Sequence, residues 1–184
     1  MNPGSQSSAE DTDRELIERW KGGDSRAATE LVRRHADALA RFAASAGERE
    51  EIEELVQDTF VRAFGSLDAF RGESSLRTWL FTIERRLMLD RRRAERRERN
   101  LVSVDPAAAV TEYDALDGVI AQETAARVRR AVDSLSPMQR EVFVMRVEQG
   151  LAYREIATIL ETTEGAARVH YHNAIRGVKE FLNE

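Results

Sequence analysis

Apolar residues recur every three to four positions along most of this chain, and the recurrence predicts helices separated by short breaks. From Asp13, Leu16, Ile17 and Trp20 share one face, and Gly22-Gly23-Asp24 interrupts the pattern. A second helix follows from about Ser25, with Leu31, Val32, Leu39 and Phe42 inward, and ends at Gly47. A third runs from Glu50 to Leu67 on the stripe Ile52, Leu55, Val56, Thr59, Phe60, Ala63, Phe64 and Leu67. Its first turn holds Glu50, Glu51, Glu53 and Glu54, which suits the positive end of a helix dipole. Phe70 to Ser74 is a loop, and Ser74 or Ser75 supplies a cap for a fourth helix. That helix carries Leu76, Trp79, Leu80, Ile83 and Leu87 and runs to about Arg99.

Periodicity then stops over residues 100–117. It resumes with Val119, Val128, Val132 and Leu135. Ser136-Pro137-Met138-Gln139 is a helix start, with a capping Ser, Pro in the first turn and Gln three residues on. Val142, Phe143 and Val147 line that helix, and Gly150 stops it. A short helix, Tyr153 to Leu160, buries Ile156, Ala157 and Leu160; a turn over 161–164 leads to a last helix through about Leu182. No strand pattern appears. The expectation is an all-α chain: a disordered tail 1–12, a helical domain 13–99, a flexible acidic linker 100–117 and a second helical domain 118–184.

Composition removes several function classes. Without cysteine there is no disulfide framework and no thiolate nucleophile or ligand, and three histidines are too few for most zinc sites. His170 and His172, two apart on a helix, point to different sides, so no metal site is expected. No Glu-x-x-His pair, Gly-rich phosphate loop or nucleophile motif is present, so no catalytic residue and no cofactor are expected. Apolar runs are too short to span a membrane, and the polar, acidic N-terminus lacks a signal-peptide core, which points to the cytoplasm.

The net charge of -5 argues against a nucleic-acid partner until it is divided along the chain. Residues 1–60 carry -6, residues 85–99 carry +5 from eight Arg against three acids, and residues 100–126 carry -5 with no base at all. Screening confines such charges to their own neighbourhood, about 10 Å. The Arg strip is either a solvated helix face or a phosphate-facing one. The last two helices have helix-turn-helix proportions, with small Ala157 where they would cross; an ordinary helical hairpin has the same spacing.

Two sets of strings decide between these readings. Glu53-Glu54-Leu55-Val56-Gln57-Asp58-Thr59-Phe60, Phe70-Arg71-Gly72-Glu73-Ser74-Ser75-Leu76-Arg77-Thr78-Trp79-Leu80 and Leu89-Asp90-Arg91 resemble the sigma-2 domain of extracytoplasmic-function sigma factors of bacterial RNA polymerase. Leu135-Ser136-Pro137, Arg140-Glu141-Val142-Phe143, Tyr153-Arg154-Glu155-Ile156-Ala157 and Glu164-Gly165-Ala166-Ala167-Arg168 resemble the sigma-4 domain. The resemblance implies a non-enzymatic factor that binds core RNA polymerase, recognises promoter DNA and helps to open it. It implies that Glu54, Gln57 and Asp58 meet the clamp helices of the largest polymerase subunit. It implies that Phe70, Arg71, Ser74, Arg85, Arg86, Arg91, Arg92 and Arg93 serve the −10 element as single strand. Arg168, Val169 and His172 would face −35 bases, with His170 and Arg176 on the backbone. An anti-sigma factor is the implied regulator, and the linker would thread the polymerase cleft or act as a solvated tether. The rival reading is a helix-turn-helix regulator that binds DNA without polymerase.

This chain departs from the family pattern at named places. Arg86 stands where many members have the Asn of the −10 base pocket, and Asn173 and Ile175 stand where Arg is frequent. Glu161 occupies a turn position often held by Gly, where a positive φ costs roughly 1 kcal/mol. Ala152 replaces a capping Ser or Thr and leaves Glu155 with half a capping box.

Overall fold

The computed structural model describes residues 3–48, 51–101 and 119–183. Among these residues the chain forms eight α-helices, one short 3-10 turn and no strand. The first unit contains α1 (Pro3–Lys21), α2 (Ser25–Ser45), α3 (Ile52–Gly65), the 3-10 turn Leu67–Ala69 and α4 (Leu76–Leu101). The second contains α5 (Val119–Asp133), α6 (Pro137–Val147), α7 (Tyr153–Leu160) and α8 (Glu164–Asn183). The linker expected over 100–117 lies outside the described residues, apart from residues 100 and 101, which complete α4.

In the first unit, Leu31, Leu39 and Phe42 of α2 meet Leu55 and Phe60 of α3 and Leu80, Phe81 and Met88 of α4 in a buried core. Phe42 and Phe81 pack edge to face at 5.2 Å, a favoured aromatic geometry. Helix α1 is tied to α2 by a buried carboxylate: Asp13 Oδ1 accepts from Arg34 Nε and its Oδ2 lies 2.9 Å from His35 Nε2. Asp24 ends the break between these helices. Its Oδ1 caps α2 through Arg26 N at 3.0 Å, while Oδ2 holds Arg19.

Two expectations need correction. Residues 3–12, expected as a disordered tail, are helical, because α1 extends backwards from Asp13. Once Leu16 and Ile17 are packed, adding turns is cheap compared with nucleating them. Val147, expected to line its helix, is exposed. In α6 the run Glu141–Met145 is buried instead, because this helix is covered by α8 on one side and by α2 on the other. A helix enclosed on both sides loses the single-faced pattern from which its inward residues were inferred.

Starts and stops follow local chemistry elsewhere. Ser75 Oγ accepts from Thr78 N at 3.1 Å and caps α4. Gln139 Oε1 reaches back to Ser136 N at α6. Gly177 lets α8 approach Leu135 closely, since a Cβ there would sit 3.1 Å from the leucine methyl. The cores of the two units form one continuous cluster, and α4 packs directly on α7.

Candidate nucleic-acid interface

Helix α4 carries the basic strip, but its arginines are not equivalent. Arg91 crosses to α3, where it bonds Asp58 Oδ2 at 3.0 Å and lies 3.6 Å from Glu54 and 3.7 Å from Glu51. Arg92 donates to Glu48 Oε1 and to the Ala46 carbonyl, which fixes α4 against the end of α2. Arg85 is buried and donates from Nε to Glu141 Oε2 at 2.9 Å. Arg86 is exposed and reaches Glu161 at 2.9 Å. Arg93 is exposed beside Asp90, and Arg96 and Arg97 are exposed further along. The strip is therefore split: one part knits the fold, and its outer part faces solvent.

The loop before α4 turns at Gly72, whose φ is 71°. Phe70 is half-buried against Trp79, with ring centroids 5.0 Å apart, so its aromatic face is held beside exposed Arg71. Ser74 is half-buried next to the capping Ser75. Between this loop and α7 lies a cleft of about 600 Å³ lined by Asp13, Phe70, Ser74, Arg154, Glu155 and Thr158.

On α3, Glu54 and Gln57 are exposed and Asp58 is half-buried. Val61, at the next helical step, is 64% exposed. These four positions share one outward stripe. Sequence reasoning missed Val61, although its spacing from Glu54, Gln57 and Asp58 carries the signal.

In the second unit, α7 and α8 are joined by a turn in which Glu161 has φ 53°. Glu155 Oε2 accepts from Ala152 N at 2.8 Å, which is the half capping box expected. On α8, Arg168, Val169, His172 and Arg176 are exposed, and positions 168, 172 and 176 follow the four-residue ridge of a helix. His170 is half-buried and lies off that ridge. Arg168 is held in two ways: it pairs with Glu164, and its guanidinium stacks 4.6 Å from the centre of the Tyr153 ring. Arg146 occupies the same ring at 4.9 Å. Tyr153 thus positions Arg168, a role that its sequence position as a helix start does not reveal.

A buried carboxyl on α4 stands without a hydrogen-bond partner. Both carboxyl oxygens of Glu84 on α4 are buried without a hydrogen bond. Burial, reinforced by nearby Glu48, pushes its pKa up to about 9, so it is a neutral acid at pH 7. Among the described residues no group of His, Asp and Glu side chains is arranged to hold a metal ion. Nor is any helix among them long and apolar enough to cross a membrane.

Residues 31–98 match the family model described as Sigma-70 region 2, and residues 125–176 match Sigma-70, region 4. The RNA polymerase sigma factor CnrH of Cupriavidus metallidurans is 36% identical over 169 residues, spanning 87% of this chain and 85% of that protein. The chain belongs to the sigma-70 family, in its extracytoplasmic-function group. The ECF RNA polymerase sigma-E factor of Escherichia coli K12 is 28% identical over 166 residues, 85% of this chain and 87% of that one. Solved relatives agree. The sigma factor RpoE of Bartonella quintana, in complex with the anti-sigma factor NepR, superposes with a TM-score of 0.74 at 27% identity, covering 84% of this chain and 96% of that one. CnrH in complex with the cytosolic domain of CnrY gives 0.68 at 30% identity, covering 94% and 97%. The first unit is accordingly the sigma-2 domain and the second the sigma-4 domain. As a sigma-70 family member the chain is a promoter-specific transcription initiation factor, of a non-catalytic family that binds core RNA polymerase and promoter DNA.

Proposed function

We propose that this sigma factor reads a promoter at two places and helps to melt it. Phe70, Arg71 and Ser74 receive an unpaired base of the −10 element, and the outer arginines of α4, Arg86 and Arg93, follow the strand. A base leaving the stack needs an aromatic or polar pocket, and its backbone needs cations; the Phe70 face beside Arg71 and the adjoining basic helix offer both. Arg91 and Arg92 take part by holding α4 in place within the sigma-2 domain, through Asp58 and Glu48, while buried Arg85 pairs with Glu141 of the sigma-4 domain.

The sigma-4 domain enters the −35 major groove with α8. Arg168, Val169 and His172 face base edges, and His170 and Arg176 stand at the backbone. The single observation that carries this reading is the exposed ridge Arg168–His172–Arg176, with Arg168 already held by Tyr153 and Glu164. The α3 stripe Glu54, Gln57, Asp58 and Val61 docks on the clamp helices of core polymerase, with Val61 as its apolar centre. An anti-sigma factor restrains the chain, as NepR and CnrY are found on its solved relatives. The factor acts in the cytoplasm beside its polymerase and catalyses no step of its own.

Run-off transcription with purified core enzyme and a promoter library tests this reading. The expected result is transcripts from a subset of promoters sharing −10 and −35 elements. Tight duplex binding by the chain alone, with no transcript from core enzyme, would instead make it a regulator that works without polymerase.

A further inference from the structure

The helix that enters the −35 groove in the proposed function is poor in free positive charge. Residues 161–184 hold Arg168, Arg176 and Lys179 against Glu161, Glu164, Glu180 and Glu184, a net −1. Both arginines are paired along the same helix, Arg168 with Glu164 and Arg176 with Glu180 at 3.9 Å. Lys179 is exposed about 10 Å beyond His172 along the axis. A groove walled by phosphates is a demanding partner for such a surface.

Two imidazoles stand where cations are missing. His172 is exposed between Arg168 and Arg176 on the outward ridge. His170 is half-buried on the flank opposite Arg168. Asp13 holds His35 at 2.9 Å, but among the described residues no carboxylate lies within ion-pair distance of either ring on α8. The acids of the helices packed on α8 are engaged elsewhere. Asp133 of α5 lies beside Arg140, Glu141 of α6 pairs with Arg85, and Glu155 of α7 holds the Ala152 amide. Glu148, just past α6, lies near Arg41, and Glu161, in the turn before α8, meets Arg86. The basic and phenolic neighbours are placed too: Arg127 of α5 bonds the Leu182 carbonyl, and Arg146 of α6 shares the Tyr153 ring with Arg168.

We propose that α8 takes up protons as it binds the −35 duplex, with His170 becoming imidazolium at the DNA backbone and His172 at the base edges. The proposal rests on the reading of α8 as the −35 helix. Imidazole changes charge near neutrality, and a negative charge within a few Å favours its protonated form. With both rings protonated, the net charge of residues 161–184 moves from −1 to +1. At a base edge the imidazolium offers two donors and no acceptor, which suits the O6 and N7 acceptors of guanine. The sign follows from linkage. A proton bound in the complex and absent from the free chain makes affinity fall as pH rises, by at most about tenfold per pH unit for each ring. Initiation at promoters that depend on the −35 element then rises as the pH around the polymerase falls.

The test uses holoenzyme assembled from core enzyme and the full-length chain, on a promoter duplex selected by run-off transcription. Binding is followed by fluorescence anisotropy between about pH 6 and pH 8 and at several salt concentrations. Wild type is compared with His170→Gln, His172→Gln, the double variant and His170→Arg, so any pH dependence of the core enzyme is common to all. The expected result is a wild type that weakens about tenfold more than the double Gln variant across this range. Its salt dependence is steeper at the acid end by about 0.9 in log–log slope for each ring that meets a phosphate. His170→Arg keeps a steep slope at both ends. Equal pH dependence in wild type and the double Gln variant overturns the proposal, and so does a wild-type salt slope that is the same at both ends. Arg168→Ala separates this from the reading beneath it. If that variant still discriminates an intact −35 element from a scrambled one as wild type does, the reading of α8 fails and takes the proposal with it. If it loses that discrimination while the histidine variants track wild type at every pH, the proton uptake alone is overturned.

Discussion

Arg85 and Arg86 are neighbours on α4, and both reach an acid of the sigma-4 domain, yet they do so in opposite surroundings. The side chains of Arg85 and Glu141 are 11% and 6% exposed; those of Arg86 and Glu161 are 64% and 60% exposed. The inner half of this contact between α4 and the sigma-4 domain is a desolvated charge pair, and the outer half is bathed in water. The inner pair fixes register, because any displacement strands a buried charge. The outer pair contributes little to stability, and salt weakens it further.

The largest expected effect comes from breaking the inner half. Glu141→Ala leaves the Arg85 guanidinium buried without its carboxylate, and the docked state should lose about 3–5 kcal/mol. Denaturant titrations of the full chain check this, together with scattering to tell undocking from unfolding. Replacing both partners by apolar residues, Arg85→Met with Glu141→Leu, should instead be neutral or stabilising by about 1–4 kcal/mol. If the double replacement is as damaging as the single, the inner pair does more than fix register.

Next in size is a pH effect one residue away. Glu84 is raised from 4.5 to about 9, so the folded chain holds its proton where the unfolded chain has lost it. Its contribution is fully present below about pH 4.5 and is lost as pH rises towards 9. Glu84→Gln should flatten the fall in melting temperature between pH 5 and pH 9. An unchanged slope would mean that the carboxyl is hydrated and ionised in the fold.

Smaller effects belong to the outer half and the turn beside it. Ala152→Ser completes the capping box that Glu155 half forms, and should stabilise the sigma-4 domain by about 0.5–2 kcal/mol in thermal melts. Arg86→Ala should change overall stability by less than about 1 kcal/mol, and that change should shrink further in high salt. A loss as large as that from Glu141→Ala would erase the distinction between the halves.

Much of the fold is legible in the sequence because helix boundaries are written in local chemistry. Tyr153–Leu160 begins and ends where its apolar spacing and flanking turns place it. Gly22-Gly23-Asp24 and Ser136-Pro137 act through contacts a few residues away. The burial of Val144 and Met145 is not legible, because it depends on a second domain covering α6. Nor are the hydrogen bonds between the two domains, whose partners lie 56 to 77 residues apart with no pattern linking them. The charge count located the basic strip but could not say that Arg91 and Arg92 are committed to acids of their own domain. Val61 and Tyr153 sat in plain view; one needed the helical register of its polar neighbours, the other the path of α8.

In the proposed function this chain opens promoter DNA only together with core polymerase and holds the freed strand in the loop beside α4. The most direct measurement places 2-aminopurine in the −10 element of a promoter selected by run-off transcription and follows its fluorescence. The expected result is a rise with core enzyme and chain together, none with either alone, and a much smaller rise with Phe70→Ala. A rise produced by the chain alone, or none with both present, would contradict it.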